Sequence, residues 1–352
     1  MAGPTLTDIA RLVGLSKNAV SLALRSDPQI PEATRLRVRE AAERLGYRSN
    51  ALVSQLMAQL RASKTARWQA KLALVNAHRD PDALRSHPTL PTYVQGCEAR
   101  AAKLGYSFDR FWMHDPAMTA ASWLRILQTR SIRGLILVGL MDTHRLPSHL
   151  LPVWKALPTV VTGVRTRDPA LSFCSVDHHA LTVMAFEKAL QLGYRRPALV
   201  LDTGIDALVE RRFSAGFLAA RHPIPGSPNI PIFQAFSDAD REAPAAFSAW
   251  LRRHRPDVVF TLYNRVVSWL EAAGWTIPDD IGVIQLEWRS TRPRIAGMNQ
   301  HNELTGAAAV DMVVSQITNN EVGVQDFPRA TLIGASWVDG PSVSARPVPG
   351  DP

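Results

Sequence analysis

Thr5-Leu6-Thr7-Asp8-Ile9-Ala10-Arg11-Leu12-Val13-Gly14-Leu15-Ser16-Lys17-Asn18-Ala19-Val20-Ser21-Leu22-Ala23-Leu24 opens the chain and decides how its first part folds. Thr5 and Asp8 have the spacing of a capping box, in which each residue satisfies an amide the other leaves free. Ile9, Leu12 and Val13 then recur at helical spacing. Gly14 interrupts them and suits the left-handed turn after a helix. Ser16 is a good N-cap for a second helix over Lys17 to Leu24, with Val20 and Ala23 facing inward. Two helices that cross closely need a small residue where they touch, and Ala10 supplies it. The stretch from Leu6 to Arg25 therefore predicts a helix-turn-helix. Pro31 to Leu45, followed by Gly46, predicts a third helix.

Outward from this module the charge is uneven. The chain of 352 residues carries a net charge of +9. Residues 1–71 hold 12 Lys or Arg against 5 Asp or Glu, and the rest hold 28 against 26. A basic N-terminal module on a near-neutral body points to a polyanion partner. There is no apolar run of roughly 18 residues, so no membrane span is expected. The polar N-terminus does not read as a signal peptide. With two cysteines, Cys97 and Cys174, the expectation is a pair of buried reduced thiols and a cytoplasmic protein.

From Lys71 onward short apolar runs alternate with amphipathic stretches. Strands are predicted at Leu72–Val75, Gly134–Val138, Pro158–Val161, Pro197–Leu201, Asp257–Thr261 and Ile281–Ile284. Helices are predicted at Tyr93–Leu104, Ala180–Leu192 and Leu304–Ile317. This alternation implies parallel sheets covered on both faces. No Gly-rich phosphate loop and no nucleophile elbow occur, so an enzyme is not expected, and neither is a cofactor. Asp177-His178-His179 lacks a second ligand cluster, so no metal site is expected.

The opening segment closely resembles that of LacI-family regulators. Val20-Ser21, Ile30-Pro31-Glu32-Ala33-Thr34-Arg35 and Ala42-Glu43-Arg44-Leu45-Gly46-Tyr47 continue the resemblance. Val176-Asp177, Leu192-Gly193-Tyr194, Ala215-Gly216-Phe217, Pro278-Asp279-Asp280-Ile281 and Trp337-Val338-Asp339-Gly340 carry it, more loosely, through the body. It implies an all-α helix-turn-helix domain followed by a periplasmic-binding-protein-like α/β domain of two lobes with an effector cleft between them. Expected boundaries are 1–49 for the helix-turn-helix domain, 50–70 for a hinge helix and linker, 71–345 for the two-lobed domain and 346–352 for a tail.

The same resemblance implies residue roles. Lys17, Asn18 and Leu22 would read bases in the major groove. Thr5, Ser16, Ser21, Arg25 and Thr34 would bind phosphates. Leu56 would wedge into the minor groove from a hinge helix beginning near Asn50. Asp177, Arg212, Asn264 and Glu287 are the candidate effector-binding residues. Several of these depart from the family pattern. Phe213 holds the usual arginine position with Arg212 beside it, Arg265 follows Asn264 where aspartate is usual, and Leu181 replaces a glycine. Gln285-Leu286-Glu287 replaces glycine, an aromatic residue and aspartate. The implied function is that of a homodimeric repressor on a pseudo-palindromic double-stranded operator, modulated by a carbohydrate or related polyol. The alternative is a constitutive regulator with a degenerate cleft.

Overall fold

The protein was analysed as a computed structural model that describes residues 5–24, 27–45, 70–222, 228–234 and 243–347. Helices α1 (Leu6–Val13), α2 (Lys17–Leu24) and α3 (Glu32–Arg44) form the N-terminal unit. Gly14 ends α1 in the left-handed region at φ 67°, and its amide returns to the Ala10 carbonyl. The Ser16 hydroxyl accepts the Ala19 amide at 3.1 Å and so starts α2. Ile9, Val20, Ala23 and Val38 are fully buried together with Ala10, Ala41 and Ala42. Small residues on all three helices let the helices close on one another, so the predicted helix-turn-helix is present. Leu12, which shares the helical spacing of Ile9 and Val13, is 49% exposed. Ile9 and Val13 define the inward face, and Leu12 falls beside it.

The body contains two sheets. The first runs β10 (Ala330–Ile333), β5 (Ser172–Val176), β4 (Thr159–Thr162), β3 (Ile132–Val138), β1 (Ala70–Asn76) and β2 (Tyr106–Trp112), with every neighbouring pair parallel. The second runs β11 (Ser336–Val338), β9 (Ala296–Asn299), β8 (Gly282–Gln285), β7 (Val258–Thr261) and β6 (Pro197–Val200). It is parallel except for the antiparallel edge pair β9–β11. The central strands of the first sheet are buried on both faces. Ala73, Val75, Leu135 and Leu137 serve one apolar cluster, and Leu72, Leu74, Ile136 and Val138 the other. This alternation is what the pleat requires of a doubly covered strand.

The chain passes between the sheets three times: after β5, after β9 and between β10 and β11. The second passage places the helix Asn302–Thr318 on the first lobe, against the helix Leu90–Lys103. The two backbones meet at glycines. A Cβ on Gly306 would lie 2.1 Å from the Tyr93 carbonyl oxygen, and one on Gly96 1.8 Å from that of Glu303. The Cys97 thiol donates to the Gly306 carbonyl at 3.3 Å across the same seam. Cys97 and Cys174 are buried and free; burial pushes both thiols up, Cys174 to about 12.

Arg346, assigned by sequence to the tail, is docked on the second lobe. Its amide donates to the Leu192 carbonyl at 2.7 Å, and its guanidinium donates to the carbonyls of Asp279 and Pro278. The guanidinium also lies over the Tyr194 ring, 5.2 Å from its centroid. Among the described residues, no helix is long and apolar enough to cross a membrane.

Candidate functional site

The DNA-facing candidates sit where α2 begins. Ser16 is exposed, and Lys17 is the exposed first residue of the helix. Ser16 uses an oxygen lone pair to accept the Ala19 amide, which leaves its hydroxyl proton free to donate. Ser21, Leu22 and Thr34 are half-buried. Thr5 is more committed: its amide and its hydroxyl both donate to one Asp8 oxygen, at 2.8 and 2.7 Å. Those bonds hold the Asp8 carboxyl below the usual carboxylate range, with Arg11 assisting. The Asn18 side chain, Arg25 and Leu56 lie outside the described residues.

The second candidate site lies between the lobes. Asn264 and Glu287 follow the carboxyl ends of β7 and β8, where ligands bind in parallel sheets. Gln285 donates to Asn264 Oδ1 at 2.5 Å. The longer Glu287 reaches the first lobe, where Thr89 donates to its Oε1 at 2.8 Å. Arg289 donates to Glu287 at 3.0 Å and to Thr89 at 3.0 Å, closing a three-residue bridge. The Glu287 charge also acts on His87 and Tyr93. Burial lowers the pKa of His87, with His78 and Arg289 adding to the effect and Glu287 opposing it. Burial and the Glu287 charge push the Tyr93 hydroxyl up.

A second cluster joins the lobes near β5. Arg212 begins the helix Arg212–Arg221, pairs with Glu210 at 2.6 Å and lies 5.6 Å from the centroid of Phe173 on the first lobe. Arg165 lies over the same ring at 5.0 Å and approaches the same carboxylate at 3.3 Å. His144 bonds to the carbonyls of Arg165 and Ala207. Phe213 is buried against His178, with ring centroids 4.6 Å apart. Burial and the nearby Arg212 charge lower His178 to about 3. Asp177 caps the helix His178–Gln191 through the Ala180 amide at 3.0 Å.

The four effector candidates thus each have a protein partner, and none of the four bonds another. Asp177 holds a helix end, and Arg212 holds Glu210 and Phe173. Asn264 holds Gln285, and Glu287 holds Thr89. Arg265 lies over Tyr263 and Trp269, 4.8 and 5.9 Å from their centroids. Thr89, Arg289, Arg165 and Phe173 do not stand out in the sequence. The Thr89–Arg289 pair is separated by 200 residues, and such a separation leaves no local pattern. The Asp177-His178-His179 run does not converge on one point: Asp177 caps, His178 is buried against Phe213, and His179 is exposed.

Comparison with known proteins agrees with both units. Residues 5–50 match the family described as bacterial regulatory proteins, lacI family, and residues 186–343 match the periplasmic binding protein-like domain. The transcriptional regulator PtxS of Pseudomonas putida is 25% identical over 348 residues, covering 94% of this chain and 95% of that protein. The ribose operon repressor of Escherichia coli is 25% identical over 326 residues, covering 89% and 93%. Among solved structures, the regulator CelR in complex with cellobiose superposes with a TM-score of 0.59 at 20% identity, covering 96% of this chain and 99% of that one. The lac repressor dimer bound to operator and an anti-inducer gives a TM-score of 0.56 at 20% identity, covering 98% and 100%. With a lacI-family helix-turn-helix domain at one end, a periplasmic binding protein-like body of two parallel α/β lobes at the other and lacI-type relatives along nearly its whole length, the chain is a DNA-binding transcriptional regulator.

Proposed function

We propose that the chain acts in the cytoplasm as a homodimeric repressor, without catalytic activity, on a pseudo-palindromic operator. Lys17, Asn18 and Leu22 read bases in this proposal, while Thr5, Ser16, Ser21, Arg25 and Thr34 bind phosphates and Leu56 enters the minor groove. One helix-turn-helix covers one half-site, and two-fold pairing supplies the other. A carbohydrate or related polyol bound between the lobes sets operator affinity. The names of the ribose operon repressor and of the CelR–cellobiose complex support that ligand class. The observation that carries it is the polar bridge between the lobes, Thr89 to Glu287, at strand ends that also present Asn264 and Gln285. Hydroxyl-rich ligands can exchange for such bonds one by one.

The test is operator binding by the full chain with and without a panel of pentoses, hexoses, disaccharides and sugar acids. A shift of operator affinity by one panel member, abolished in Asn264→Ala, is the expected result. A second reading is favoured by the protein partners that already occupy all four effector candidates. In that reading the cleft is degenerate and repression is constitutive. Unchanged operator affinity and unchanged melting temperature across the panel would select it over the first.

A further inference from the structure

The first lobe carries a second depression, at the opposite end of its sheet from the cleft. It has a volume of about 690 Å³ and is lined by Ala70, Lys71, Ser107, Arg130, Ser131 and Arg133, where β1, β2 and β3 begin. Parallel sheets present their ligand-binding ends at the carboxyl termini of the strands, so this site is separate from the effector cleft. Its charge is strongly one-sided. Lys71 and Arg130 share a single counterion, Asp109, at 2.9 and 3.1 Å. Arg133 is exposed and stands outside that network.

The position of the depression identifies its partner. Ala70, at its wall, is where the chain arrives from the DNA-binding module. The intervening residues 46–69 contain Arg48, Arg61, Lys64 and Arg67 and no Asp or Glu. Positive charge therefore runs along the linker sequence without an acidic residue and continues onto this edge of the body. A duplex bound by the preceding module is a dense array of phosphates, complementary to that charge.

We propose that the amino-terminal edge of the first sheet binds the DNA backbone, with Arg133 and Lys71 on phosphates beside those held by the helix-turn-helix. Such bonds add affinity and positioning but no base selectivity. The inference rests on the DNA-binding reading above, and its test separates the two. Full-length wild type, Arg133→Gln, Arg133→Glu and Lys71→Gln are titrated against two long duplexes over a salt series. One duplex is recovered by selection on the wild-type chain, and the other is a scrambled sequence. Arg253→Gln, on the exposed end of a second-lobe helix, removes the same charge elsewhere.

The slope of log affinity against log salt should become shallower by about one to two in Arg133→Gln, which is about one for each phosphate that a protomer no longer neutralises. Arg133→Glu should exceed it, Lys71→Gln should act in the same direction, and both duplexes should be affected alike. Arg253→Gln should match wild type. Wild-type slopes in the Arg133 and Lys71 variants would overturn the proposal, and so would an equal change in Arg253→Gln, which would mean a general effect of net charge. Failure of the wild type to bind either duplex would instead overturn the DNA-binding reading itself.

Discussion

Thr89 Oγ1 donates to Glu287 Oε1 at 2.8 Å across 198 residues of chain, and the bond ties the first lobe to the second. Arg289 braces both ends. The family's usual aspartate at the Glu287 position is shorter by one methylene, so the bridge depends on the extra reach of glutamate. Glu287→Asp should therefore open the lobes. Small-angle scattering should report a larger radius of gyration, and stability should fall by about 1.5–3 kcal/mol, the range for a hydrogen bond to a charged group. An unchanged radius and melting temperature in Glu287→Asp would mean that the lobes are held by other interactions.

His178 makes stability depend on pH in a definite direction. Burial, aided by the Arg212 charge, lowers its folded-state value to about 3, against 6.5 for the free side chain. Between those values the unfolded chain binds a proton that the folded chain refuses. The stability this group contributes is then fully present above about 6.5 and declines as pH falls, by up to about 1.4 kcal/mol per pH unit. His87 is shifted the same way and adds to the decline. Urea unfolding of wild type and His178→Leu from neutral to mildly acidic pH checks this. The variant should show the flatter profile, and parallel profiles would exclude His178 as a source of the slope.

The helix-turn-helix was legible almost residue by residue because its signals are local: a cap, a left-handed glycine and apolar residues at helical spacing. The six strands that sequence identifies are apolar runs buried on both faces. Those it misses lack that signature. β2 carries Ser107, Asp109 and Arg110 because it is an edge strand, and β10 is an edge with alternating exposure. β5, Ser172-Phe173-Cys174-Ser175-Val176, hides buried serines that bond neighbouring backbone, Ser175 to the Gly163 carbonyl at 2.7 Å. The cleft was legible as positions but not as partners. Arg212 and Phe213 could be ranked only against a family pattern, whereas their surroundings, Glu210 with Phe173 for one and His178 for the other, depend on how the lobes meet.

The seam between the helices Leu90–Lys103 and Asn302–Thr318 predicts a sharp steric effect. A Cβ on Gly306 would sit 2.1 Å from the Tyr93 carbonyl oxygen and 3.0 Å from the Cys97 amide, both backbone atoms that cannot rotate away. Gly306→Ala should destabilise the body by about 1–3 kcal/mol or more, as overpacking does. Gly334→Ala provides the control, because a Cβ there meets nothing within 4 Å. Equal melting temperatures for the two variants would mean that the helices can separate without cost.

Lys17 tests the base-reading face. It is exposed at the start of α2, so its ammonium can reach a duplex laid against that helix end. Bonding to guanine O6 and N7 would tie its contribution to sequence, whereas bonding to a phosphate would not. Lys17→Ala should weaken binding to the selected operator by about 1–3 kcal/mol, roughly fivefold to more than a hundredfold, and relax selectivity at one base pair in each half-site. Binding to scrambled duplex should change far less. Competition titrations with operators altered one base pair at a time provide the measurement. Equal weakening on every duplex, with selectivity intact, would reassign Lys17 to the phosphate backbone.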